Sequence, residues 1–145
     1  MYFSSNTVSQ FFVIDAATYT LEAFPYPNGG KVSLTLLPHS NGRRLNVGIQ
    51  RGGAITGRPY PHANSYLAMF DLERGIYVGS FQLAEVVDGR ADDATPVDLT
   101  LDQNAGRLFV GMFQSKRGIV VVDPDSLAWK RDIRFENSPR NKHFP

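Results

Sequence analysis

Three times along this chain an apolar run stops at an aspartate: Phe11-Phe12-Val13-Ile14-Asp15, Leu67-Ala68-Met69-Phe70-Asp71 and Ile119-Val120-Val121-Val122-Asp123. Each run is followed by a polar turn and another apolar stretch, within 16–24, 72–81 and 124–133. Unbroken apolar character, in place of alternation, is the pattern of a strand buried on both faces, and an Asp at its end can accept hydrogen bonds from the turn ahead. Such a strand needs a packing partner on each side. The recurrence at positions 15, 71 and 123, spaced by 56 and 52 residues, therefore points to one repeated structural unit. On this reading Asp15, Asp71 and Asp123 have structural roles.

The second and third copies extend upstream. Lys31–Ile49 aligns with Pro96–Met112, each a strand, an Asn/Gly turn and then Arg-Leu-x-Val-Gly. The unit is thus strand A, turn, strand B, loop, strand C, Asp turn, strand D. The first copy starts at strand B, with Tyr2-Phe3-Ser4-Ser5. The expected fold is all-β, about three four-stranded antiparallel repeats over units 1–27, 31–83 and 96–136, the first lacking its inner strand. A small antiparallel sandwich is the alternative, but it has no reason to repeat an Asp-ended strand. The one helical element expected is a single turn at Ala84–Asp88, ended by Gly89.

Pro96-Val97-Asp98-Leu99-Thr100-Leu101, then Gly106-Arg107-Leu108-Phe109-Val110-Gly111, then Ile119–Asp123, resembles the YVTN family of β-propeller repeats. In that family a Pro-led inner strand precedes a Tyr-Val-Thr-Asn-like strand and an apolar strand ending in Asp, and Tyr2–Asn6 resembles another such second strand. Smp-30-like six-bladed propellers share much of the pattern. The resemblance implies blades packed face to face, with the innermost strand lining a channel. It also implies a divalent metal in the lactonases of the second group, for which Asp98 is the candidate ligand here. Closed propellers hold about 4–8 blades, so this chain is expected to be part of a longer propeller or to close a ring by self-association.

Composition narrows the function classes. The chain has 145 residues, 42% hydrophobic and 20% charged, which is the profile of one soluble globular domain. A formal charge of +1 gives no strong field for nucleic acid, which is not expected as a partner. The absence of cysteine excludes a disulfide framework and thiolate metal sites. No apolar run is long enough to span a bilayer, so no membrane partner is expected, and no compartment follows from the sequence.

Two connections stand out by length, Gln50–Asn64 between B and C of the second unit and Ala84–Thr95 between the second and third units. In an up-and-down sheet both leave from the same end. Arg51, Arg58, Tyr60 and His62 on the first, and Asp88, Arg90, Asp92 and Asp93 on the second, make the candidate surface for a protein or small ligand. His39 and His143 read as surface or turn residues, and Trp129 as packing at an outer edge. No nucleophile elbow, P-loop or zinc motif occurs, so the expectation is a non-catalytic binding or scaffold module without cofactor. The alternative is a metal-dependent lactonase or related hydrolase using Asp98.

Overall fold

The computed structural model describes residues 1–4, 10–25, 32–39, 41–50, 65–83, 86–87, 90–91, 95–113, 115 and 117–134. Their regular structure is entirely β. The first sheet has β1 (Tyr2–Ser4), β2 (Gln10–Ile14) and β3 (Leu21–Pro25). The second has β4 (Val32–Pro38), β5 (Arg44–Gln50), β6 (Tyr66–Asp71) and β7 (Ile76–Gln82). A two-stranded ribbon, β8 (Val86–Val87) and β9 (Arg90–Ala91), separates these from the third sheet. That sheet comprises β10 (Thr95–Asp102), β11 (Arg107–Phe113), β12 (Ile119–Val122) and β13 (Trp129–Ile133). Each sheet runs in sequence order with every neighbouring pair antiparallel. The all-β expectation therefore holds. The helical turn expected at Ala84–Asp88 does not: Val86 and Val87 pair with Ala91 and Arg90, in keeping with the extended preference of β-branched residues.

The three aspartates build the same turn. Asp15 Oδ1 accepts from the backbone N–H of Ala17 at 2.8 Å, Asp71 Oδ1 from Arg74 at 3.0 Å, and Asp123 Oδ1 from Ser126 at 3.0 Å. In each turn the carbonyl of the aspartate accepts from the N–H four residues on, at Tyr19, Gly75 and Leu127. That fourth residue is left-handed every time, with φ of 58°, 65° and 57°. Glycine takes this conformation without strain, whereas Tyr19 and Leu127 do so at a cost of about 1–2 kcal/mol. Backbone donors hold the Asp15 carboxyl below its ordinary range, and the Ser126 N–H and hydroxyl do the same for Asp123.

Register corrects one detail of the sequence alignment. Thr35 stands opposite Gly48, and Asp98 opposite Gly111, each after one extra residue in the first strand of its sheet. Asp98 is therefore equivalent to Thr35, whereas aligning Lys31–Ile49 with Pro96–Met112 from their first residues pairs it with Ser33.

The second sheet is covered on both faces. Leu45, Val47, Ile49, Tyr66, Ala68 and Phe70 face the first sheet and pack with Phe11. Phe70 meets Phe11 edge-on at a centroid separation of 5.1 Å, and Phe24 and Tyr77 at 4.9 Å and 4.8 Å. Leu67 and Met69, on the other face of β6, join Leu99, Leu108, Val110, Val120, Val122 and Leu127 of the third sheet. Alternation along β6 thus supplies both cores from one strand. Neighbouring sheets approach most closely at their first strands: β10 lies against β4 and β5, and β1 against β4.

Gly48 makes that approach feasible. A Cβ there would stand 2.8 Å from Thr35 Cγ2 and 3.1 Å from Pro96 Cβ, closer than carbon atoms pack. Gly48→Ala is expected to lower stability by about 1–3 kcal/mol, the range for overpacking, in a denaturant titration. Thr35→Ser, which removes the methyl group in the way, should recover part of that loss in the double variant.

Candidate functional site

The sheet order sends the β5–β6 and β7–β10 connections out of one end of the stack, and the four hairpin turns that follow β4, β6, β10 and β12 out of the other. At the first end the feet of the two long connections are joined. Leu83 N–H donates to the Ser65 carbonyl at 2.8 Å. Ser65, Tyr66, Leu83 and Thr95 are all buried. Gln50 and Thr95, read from sequence as loop residues, belong to β5 and β10.

A second fastening comes from Arg117, on the short connection between β11 and β12. Its Nη2 and Nε donate to Asp132 Oδ1 and Oδ2 at 2.8 Å and 3.0 Å, a two-pronged pair within the third sheet. Its Nη1 reaches across to the carbonyls of Leu83 and Gln82 at 3.3 Å and 3.4 Å, and the guanidinium lies 5.5 Å from the Phe81 ring centre. The cation therefore ties the third sheet to the foot of the 84–95 connection. Both side chains are nearly buried, 12% and 11% exposed. Burial raises the Asp132 carboxyl, but Arg117, the Trp129 indole N–H and the charge of Arg134 outweigh it, and the net shift is downward.

Of the sequence-predicted surface, Arg51, Arg58, Tyr60, His62, Asp88, Asp92 and Asp93 lie outside the described residues. Arg90 is placed by its backbone in β9, paired with Val87. Asp98 is exposed, on the face of the third sheet turned away from the second, where it stands opposite Gly111. Among the described residues no three His, Cys, Asp or Glu side chains gather in a way that would hold a metal. Trp129 is 54% exposed on an edge strand and spends its N–H on Asp132 at 2.9 Å.

Sequence reasoning missed two features. One is the Arg117–Asp132 pair, which no local pattern signals because the partners meet only through strand register. The other is His39, read as a surface or turn residue. It does sit at a turn, but only 7% of it is exposed, and its Nε2 is 2.7 Å from Nδ2 of the wholly buried Asn46. The signal for it was Asn46, a polar residue in an otherwise apolar strand.

No protein-family model matches the chain, and no curated protein matches it.

The lowered Asp132 pKa fixes a direction for acid sensitivity. A carboxyl depressed in the folded state contributes stability that is complete above its unfolded pKa, about 3.9, and is lost as pH falls through the folded value. The stability advantage of the native chain over Asp132→Asn is expected to be constant above about pH 5 and to shrink as pH drops below about 4. Thermal midpoints of both proteins across that range would show it.

Proposed function

We propose that this chain is a segment of a β-propeller acting as a binding or scaffold module, and that it presents the 50–64 and 84–95 connections to a protein or small-ligand partner. The observation that carries this reading is the Leu83–Ser65 hydrogen bond of 2.8 Å, which joins the buried residue that follows the first connection to the buried residue that precedes the second. Long loops on a rigid base are where binding residues concentrate, because the base fixes position while the loops vary freely. Arg51, Arg58 and His62 on one connection and Asp88, Asp92 and Asp93 on the other give that surface charges of both signs.

The propeller reading is supported by three up-and-down antiparallel sheets packed face to face, nearest at their first strands. Ring closure then calls for further sheets against the outer faces. Phe12, Ile14 and Leu21 share the outer face of the first sheet, and Phe109, Ile119 and Ile133 that of the third. A second copy placed about a two-fold axis would bring the count to six. Light scattering on the isolated chain at micromolar concentration is expected to show a dimer or larger species. A monodisperse, cooperatively melting monomer would count against the ring.

Charge reversal separates the binding surface from the fold. Arg58→Glu and Asp92→Lys are each expected to weaken retention of the partner on immobilised protein, by about tenfold, while leaving the far-UV spectrum unchanged. Equal retention by the native chain and both variants would rule out the long connections as the binding surface.

A further inference from the structure

At the hairpin end of the stack, opposite the long connections, a cleft of about 260 Å³ opens between the second and third sheets, lined by His39, Asn41, Leu101, Gln103, Pro124 and Asp125, with Gly106 at its edge. Three hairpins meet there: β4–β5 supplies His39 and Asn41, β10–β11 supplies Gln103, and β12–β13 supplies Pro124 and Asp125. We propose that this cleft binds a small neutral polyol, a molecule of monosaccharide size carrying adjacent hydroxyl groups.

The polar groups are arranged for a hydroxyl. With the Asn46 amide nitrogen donating to it, Nε2 acts as the acceptor, which leaves Nδ1 as the N–H of the His39 ring. Nδ1 stands 3.9 Å from Asp125 Oδ1, too far for a direct hydrogen bond. One oxygen about 2.8 Å from each would span that gap, accepting from Nδ1 and donating to the carboxylate. A hydroxyl, like a water molecule, does both at once; a carboxylate cannot donate, and an ammonium cannot accept. His39 is itself nearly buried, so this donor is fixed in place.

Asn41 spends its Oδ1 on the Arg43 N–H at 2.9 Å, which leaves its amide N–H₂ for a ligand, and Gln103 offers both a donor and an acceptor. Charge at the cleft is balanced. Arg44 Nη1 lies 3.4 Å from Asp125 Oδ1, so neither an anion nor a cation finds an unopposed counter-charge. The lining is mainly polar, and half-buried Leu101 and buried Pro124 add a small apolar part. The volume is slightly below the range of about 300–1,000 Å³ for drug-sized ligands, which suits a single ring.

The test is a titration of the full ¹⁵N-labelled chain with D-glucose, D-mannose and myo-inositol, with inorganic phosphate as the charged control. At least one polyol is expected to give saturable shifts at the amides of Asn41, Gln103, Gly106 and Asp125, with a Kd of about 1 mM. Asp125→Ala, at a residue whose side chain is 73% exposed, should weaken binding at least about tenfold, and Gln103→Ala should weaken it less, with the thermal transition of each variant retained. The proposal is overturned by the absence of saturable shifts up to about 50 mM, by shifts that persist unchanged in Asp125→Ala, or by equal saturation with phosphate. Failure here leaves the long-connection surface untouched, since Arg58 and Asp92 lie on connections that leave the opposite end.

Discussion

Everything else in this structure depends on the second sheet being apolar on both faces. A sheet with one wet face can stop at two layers, but β6 carries Tyr66, Ala68 and Phe70 on one side and Leu67 and Met69 on the other, and all five are buried. Leaving either row in water would forfeit about 1.5–3 kcal/mol for each large side chain, a sum comparable with the net stability of a domain this size. The stack of at least three layers is therefore a requirement of the central strand's composition. The outer sheets and the inter-sheet fastenings follow from it.

The fastenings at the two ends of the stack differ in kind. At the long-connection end the seam is closed by a charged clamp: Arg117 takes Asp132 in its own sheet and two carbonyls in the next. At the hairpin end the seam holds the His39–Asn46 pair and opens into a cleft. A tightly bonded base suits loops that must be held in one relative position. A polar but incompletely filled seam suits something that enters and leaves. Between the two ends lie the apolar clusters around Phe70 and around Val110.

What could be read from the sequence was what is encoded within a few residues. Asp15, Asp71 and Asp123 bond to donors two or three positions ahead, so their turns were legible as spacing. The apolar runs named the buried strands for the same reason. Arg117 and Asp132 lie fifteen residues apart on opposite sides of β12, and only the pairing of Val120 with Asp132 brings them together. The equivalence of Asp98 with Thr35 was likewise obscured, because Ser33-Leu34-Thr35-Leu36 resembles Asp98-Leu99-Thr100-Leu101 two residues out of step with the register that Gly48 and Gly111 set. Val86 and Val87 misled because a short apolar pair before Gly89 fits a helical turn or a ribbon equally well, and pairing across the chain decided it. For the long-connection surface, the described residues supply the base and the sequence supplies the charges.

The contact of Gly48 with Pro96 bears on more than local packing. Where β10 meets β5 the space between the second and third sheets is filled by a hydrogen atom and a proline ring, whereas farther out it is filled by Met69, Phe81 and Leu127. Side-chain volume between the second and third sheets therefore increases across their width, and these two layers open like leaves of a fan. The size of the residue at position 48 acts as a hinge pin for that fan. A bulkier side chain would pry the narrow edge open and reduce the angle between the second and third sheets, and residues of the third sheet would shift in proportion to their distance from that edge.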